Sequence, residues 1–220
     1  MKSITRSAFY KKNIEPVLIK LAPMQYLLLR YKSPLAEWAW FDSLKKGRPV
    51  NREGSSIPWF TYSFLDAFAD RIPPEATVFE FGAGMSTRWW AERVQSVTSV
   101  EHVQEWYESL QPELPENARI LLRNLTESEY AASIAESGNP YDIVIIDGRM
   151  RVVCTHYALQ SLSHRGVIIF DNSERPQYRP ALDMLTQAGF RSLRFTGFIP
   201  QDFMGSETTV FYRDGNCLNI

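Results

Sequence analysis

The run "YDIVIID", residues 141–147, constrains the fold more than any other part of this chain. An almost unbroken apolar stretch of strand length suits a strand buried on both faces, which a parallel sheet with helices on each side provides. Similar strands read from "TVFEF", "VTSVE", "ARILL" and "GVIIFD". Helical segments separate them: "STRWWAERV", "VQEWYESL", and stretches over roughly 151–163 and 178–188. Strands alternating with helices at this spacing predict a doubly wound α/β sheet. The last two strands, "FRSLRFTGF" and "ETTVFYR", have no helix between them, so they are expected to pair as a hairpin with one of them antiparallel.

With 220 residues there is room for one such domain and little more. It is placed at residues 73–220. Residues 1–72 form a separate helical segment, rich in aromatics (Tyr26, Trp38, Trp40, Phe41, Trp59, Phe60, Phe64) and cut into short helices by prolines at 16, 23, 34, 49 and 58. This segment reads either as a lid over the site or as a cover for one sheet face.

A net charge of −1 implies no bulk attraction to nucleic acid, and no nucleic-acid partner is expected. The first thirty or so residues lean basic (Lys2, Arg6, Lys11, Lys12, Lys20, Arg30, Lys32), a pattern that favours an anionic surface or, more often, belongs to an ordinary solvated face. The apolar stretch "VLIKLAPMQYLLL" is broken by Lys20 and Pro23 and does not span a bilayer, which leaves peripheral contact as the membrane mode open to this chain. Cys154 and Cys217 have neither disulfide-framework nor metal-type spacing, and a cytoplasmic setting is expected. The oligomeric state is not legible.

In such sheets ligands bind beyond the carboxyl ends of the strands. Four strands carry an acid there: Glu80, Glu101, Asp147 and Asp171. The first is followed by the loop Gly82-Ala83-Gly84 and then Ser86 and Thr87 at a helix start. A dinucleotide fingerprint would put a third glycine where Thr87 stands. Glu101, about twenty residues on, is suited to ribose hydroxyls, a contact shared by dinucleotide and adenosine ligands. Glu80 beside the loop would repel a pyrophosphate, whereas a ligand with an ammonium and a sulfonium suits a field of carboxylates. The loop and helix N-terminus would still accept that ligand's own carboxylate.

"EFGAGMST", "SVEH", "YDIVIIDG" and "GVIIFDNS" together resemble the class I S-adenosylmethionine-dependent methyltransferases over roughly residues 70–213. The resemblance implies a Rossmann-like seven-stranded sheet, mostly parallel, with an antiparallel last strand. It also implies S-adenosylmethionine as the methyl donor, with Glu80, Gly82, Ala83, Gly84, Ser86, Thr87, Glu101, His102 and Asp147 as its binding set. Asp147, Asp171 and Asn172 are similar to the metal-binding triad of the catechol and caffeoyl-CoA O-methyltransferases, which implies Mg²⁺. Those enzymes place a lysine shortly after the first aspartate, whereas "DGRMR" here has none. Arg149 is expected to orient an anionic group, completing a catalytic set of Asp147, Arg149, Asp171 and Asn172. Asp171-Asn172 also reads as a turn closing its strand.

His102 reads as an adenosyl contact or a surface loop residue, His156 as structural and His164 as exposed in an "SHRG" turn. Trp89 and Trp90 read as core. The loops "NSERPQY" and "GFIPQDFMGS" are expected to shape the acceptor pocket through Arg175, Tyr178 and Asp202. The expected reaction is methylation of a small-molecule or glycan hydroxyl. The competing readings are a non-catalytic adenosyl-binding scaffold and an NAD(P)-dependent oxidoreductase. "GNPYD" precedes its strand and so differs from the tetrapeptide of nucleic-acid methyltransferases, which follows it.

Overall fold

The computed structural model describes Pro16 and residues 23–220; Lys2, Arg6, Lys11, Lys12 and Lys20 lie outside the described residues. Strands β1 (Thr77–Phe81), β2 (Ser96–Glu101), β3 (Ala118–Leu122), β4 (Tyr141–Ile146), β5 (Leu162–Asp171), β6 (Arg191–Phe198) and β7 (Gly205–Tyr212) form one sheet in the order β3-β2-β1-β4-β5-β7-β6. The first five are parallel; β7 pairs antiparallel with both β5 and β6. The hairpin expected at the end of the chain is therefore present, and its loop falls at the same edge as the carboxyl ends of β1, β4 and β5.

The helices are α1 (Pro23–Lys32), α2 (Pro34–Glu37), α3 (Trp40–Lys46), α4 (Tyr62–Phe68), α5 (Met85–Ala91), α6 (Gln104–Leu110), α7 (Arg151–Ser161) and α8 (Arg179–Gln187). Strand residues alternate between two cores because side chains alternate across the pleat. Val78, Ile143, Ile145, Val167, Ile169 and Val210 face one core, and Phe79, Phe81, Val144, Ile146, Ile168 and Phe170 the other. Both cores are shielded, which is why β4 carries no polar alternation.

The aromatic N-terminal part packs on the first core. Trp40, Phe60, Tyr62, Phe64 and Phe68 join Trp89 and Trp90 there, so the residues from Trp40 onward cover a sheet face. Phe64 and Phe68 meet Phe195 of the edge strand β6 edge-on, at 6.0 and 5.4 Å between ring centroids. Thr61 fastens the segment further, its amide donating to Thr208 Oγ1 and its hydroxyl to the Phe195 carbonyl.

One boundary differs from expectation. The "SHRG" turn is absorbed into β5, which begins at Leu162 where the helix was expected to continue. Leu162 pairs with Tyr141 across a register shift, and Ser163 donates to Asp142 Oδ1 at 2.9 Å, so backbone and side-chain pairing extend the strand through polar residues. His164 is nevertheless exposed.

Candidate active site at the carboxyl edge of the sheet

Two glycines set the geometry where β1 and β4 end. Gly82 has φ +96, a conformation costly to any residue with a Cβ. A Cβ there would also meet Gly148 Cα at 2.7 Å, and one on Gly148 would meet the Tyr130 hydroxyl at 2.1 Å. These glycines press two strand-end loops together. Gly84 is different: its φ of −170 is open to any residue, and the nearest atom to a Cβ there is Ser86 Oγ at 3.6 Å. Neither strain nor protein packing calls for a glycine at 84, so what its missing side chain leaves is open room beside the loop.

Beneath this loop Glu80 is wholly buried and gathers three hydroxyls. Ser86 Oγ donates to Oε1, while Thr87 Oγ1 and Ser99 Oγ donate to Oε2, the latter at 2.7 Å. The Thr87 hydroxyl also accepts the Gly84 N–H at 3.2 Å, capping α5 from the position where a dinucleotide fingerprint has glycine. Burial pushes the Glu80 carboxyl up to about 7, with the three hydroxyls pulling the other way. This corrects the charge argument made from the sequence. Glu80 shows no free carboxylate to a ligand; it holds the loop from below.

Glu101 ends β2 and is 5% exposed. Its Oε1 accepts the backbone N–H groups of His102 and Val103 at 2.7 and 2.8 Å, which fixes the carboxylate's orientation. No protein donor among the described residues bonds Oε2. His102 sits beside it, Nδ1 lying 2.9 Å from Glu101 Oε1 without hydrogen-bond geometry, its ring edge-on to Tyr130. Trp106 on α6 donates to the Ala83 carbonyl at 2.8 Å and ties that helix to the glycine loop.

Between the ends of β4 and β5 lies Arg151, which the sequence reading passed over in favour of Arg149. The Arg151 guanidinium is buried, and its donors are shared among the strand ends. Nε bonds Gly148 O, Nη1 bonds Asp171 O, and Nη2 bonds both Asp147 O and Asp147 Oδ1, the last at 2.9 Å. Tyr178 covers it, with the guanidinium carbon 5.0 Å from the ring centroid. The spacing Asp147–Arg151, four residues apart across a helix start, was the available signal. Arg149 is exposed.

Asp147 and Asp171 crowd this guanidinium. Burial holds the Asp147 carboxyl above the ordinary range, with Arg151 opposing. Asp171 is held well above it by burial and then by the charge of Asp147. Both carboxyls therefore hold a proton more tightly than exposed ones do. Arg175, expected near the acceptor, also bears on Asp147 through its charge. Asp202 does not reach this cluster: its Oδ1 accepts the Met204 N–H in the β6–β7 loop.

The donor set does not fit the Mg²⁺ implied by the resemblance. Asp147 Oδ1 is taken by Arg151, Asp171 Oδ1 accepts the Thr208 hydroxyl at 2.8 Å, and a cationic group already stands between the strands. Asn172, at φ +54, closes the turn after β5 and donates to Ser206 Oγ. Among the described residues no cluster of three or more His, Cys, Asp or Glu side chains is placed to hold a metal ion.

No protein-family model and no curated protein sequence matches the chain. Its fold does match solved structures. An O-methyltransferase, TomG from Streptomyces achromogenes, solved in complex with SAM, is 16% identical, with a TM-score of 0.54, over 79% of this chain and 89% of that one. A putative O-methyltransferase from Klebsiella pneumoniae gives the same identity, 16%, and the same TM-score, 0.54, over 86% of this chain and 94% of that one. An rRNA methylase from Streptococcus thermophilus is 13% identical, with a TM-score of 0.50, over 68% and 93% of the two chains. The seven-stranded order, the antiparallel β7 and these likenesses agree: this chain has the fold of the class I S-adenosylmethionine-dependent methyltransferases.

Proposed function

We propose that the chain is an S-adenosylmethionine-dependent methyltransferase acting on a hydroxyl of a small molecule or glycan. The observation that carries the cofactor half is Glu101, a buried carboxylate locked by two backbone N–H groups with its second oxygen unbonded at the ribose position. The room beside Gly84 agrees with it. Glu101 Oε2 accepts from the ribose hydroxyls, the Gly82-Ala83-Gly84 backbone borders the ligand, and His102 and Asp147 flank it. Glu80, Ser86 and Thr87 act from below by holding the loop.

When bound, the donor supplies an electrophilic methyl group on a sulfonium. The protein's part is to orient the acceptor and to take its proton. Asp147 takes that proton: it is the more exposed of the two acids, and burial raises its basicity above that of an ordinary carboxylate. Arg151, Asp171 and Asn172 hold Asp147 and the strand ends in place, and Arg149 and Arg175 are the cations available to an anionic acceptor. The similar solved structures are named as O-methyltransferases and as an rRNA methylase, so the hydroxyl reading rests on Asp147 rather than on the fold.

Calorimetric titration with S-adenosylhomocysteine, set against NAD(H), tests the reading. The wild-type chain should bind only the former, and Glu101→Gln should weaken it about fivefold or more, the difference of about 1 kcal/mol between hydrogen bonds to a charged and to a neutral acceptor. Affinity unchanged in Glu101→Gln, or binding of NAD(H) alone, would sink the assignment. Binding without methyl transfer to any hydroxyl would favour the scaffold reading.

A further inference from the structure

The charge of this chain is divided. Residues 1–52 hold eleven lysines and arginines against three acids, a balance of +8, while residues 53–220 hold thirteen against twenty-two, a balance of −9. The near-zero net charge hides this asymmetry. The same segment also exposes apolar side chains that folding should have covered. None of the ten residues of α1 is buried, and Met24, Tyr26, Leu27, Leu28, Leu29 and Tyr31 are between 44% and 65% exposed. Arg30 ties this helix to α3 through Phe41 and Asp42, yet its leucines and tyrosines stay about half-exposed or more, a large liability in water.

A second apolar element joins this face. The β6–β7 loop carries Phe203 and Met204, 70% and 73% exposed. It is fixed to α3 through Trp40, which donates to the Asp202 carbonyl and meets Phe203 edge-on at 4.7 Å, and through Gln201, which donates to Ser43 O. Tyr26, Leu29, Trp38, Phe41, Phe198 and Phe203 line a cavity of about 750 Å³ between α1 and this loop. Two of the helices that line it, α1 and α3, end in the exposed cations Lys32, Lys45 and Lys46.

We propose that this face docks on the surface of an anionic phospholipid bilayer, with α1 and the tip of the β6–β7 loop entering the headgroup region and the cations meeting lipid phosphates. Apolar side chains ringed by lysine and arginine match both halves of such an interface. A second copy of this chain matches only one, because joining two such faces would set the cations of one against those of the other. Docking by this face brings the carboxyl edge of the sheet, where the β6–β7 loop lies, toward the lipid headgroups. The inference is independent of the methyl-transfer reading.

The test is co-flotation of the full chain with vesicles of phosphatidylcholine alone or with about one-third phosphatidylglycerol. The protein should float with the anionic vesicles and stay behind with the neutral ones. Binding should fall at least about tenfold in about 0.5 M salt, where the Debye length is only a few ångströms. Leu28→Asp with Met204→Asp, and separately Lys45→Glu with Lys46→Glu, should each lower binding at least about tenfold. All four residues are exposed, so an unchanged melting temperature shows that these variants fold. No flotation with anionic vesicles overturns the proposal, as does flotation that both double variants leave intact. Self-association in sedimentation, abolished by Leu28→Asp with Met204→Asp and unaccompanied by flotation, assigns the face to a second copy and overturns it too.

Discussion

Replacing Arg151 by methionine keeps the length and apolar stem of the side chain and removes the charge from between β4 and β5. Three strand-end carbonyls, those of Asp147, Gly148 and Asp171, then lose a donor, and the Asp147 carboxylate loses its cation. Breaking a buried ion pair by deleting one partner costs about 3–5 kcal/mol, and buried acceptors left without donors cost about 1–3 kcal/mol each. Asp147 is 27% exposed, so water recovers part of this loss and a total of about 4 kcal/mol is expected. For a chain of this size 1 kcal/mol moves the melting temperature by about 2–4 °C, so Arg151→Met should melt roughly 10 °C below wild type. Arg151→Lys keeps the charge but replaces a planar fork by a point donor, and should lose about half as much. Calorimetric melting of the three proteins at neutral pH decides. A shift under about 3 °C for Arg151→Met would refute the idea that this guanidinium holds the site together.

The two kinds of glycine should separate stability from binding: Gly84→Ala should melt within about 2 °C of wild type yet bind S-adenosylhomocysteine at least about tenfold more weakly, whereas Gly148→Ala should melt at least about 5 °C lower because its Cβ strikes Tyr130. Chelator should leave both S-adenosylhomocysteine affinity and any methyl transfer unchanged, measured by calorimetry and by product formation, because a guanidinium already stands between the Asp147 and Asp171 strand ends. Glu80 sets a pH dependence of definite sign: its folded pKa of about 7 lies above the ordinary glutamate value of 4.5, so between those values the folded state holds the extra proton and stability falls as pH rises. The fall attributable to this group is about 3 kcal/mol, complete once the pH passes the folded pKa. Urea unfolding of Glu80→Gln across the same window should show a correspondingly shallower decline, the raised Asp147 and Asp171 contributing what remains.

The fold was legible because its strands are written in two periods that do not overlap with helix. The unbroken run at 141–147 could only be a strand shielded on both faces, and the missing helix between the last two strands could only give a hairpin. The start of β5 was not legible, because Ser163, His164 and Arg165 carry turn chemistry and join the strand only through pairing with β4. In the site, the acids at strand ends were found where the alternation put them, but what each faces was not. Glu80 looks alike in sequence whether it meets a ligand or three hydroxyls below the loop. Arg151 was missed because a basic residue opening an apolar helix resembles a solvated one, and only the tertiary approach of β5 brings the Asp171 carbonyl to it.

That approach explains why the donor set at this sheet edge does not fit the divalent cation its acids evoke. Two carboxyls converging from β4 and β5 need positive charge, a proton or separation. Here Arg151 supplies the charge from the same chain, and burial holds both carboxyls above the ordinary range, Asp171 further by the charge of Asp147. A fixed guanidinium differs from an exchangeable ion in what it allows: it offers no open coordination position, so it cannot bind and acidify an acceptor hydroxyl directly. On the proposed function, deprotonation falls to a carboxylate whose basicity burial has raised, and of the two only Asp147 retains appreciable exposure.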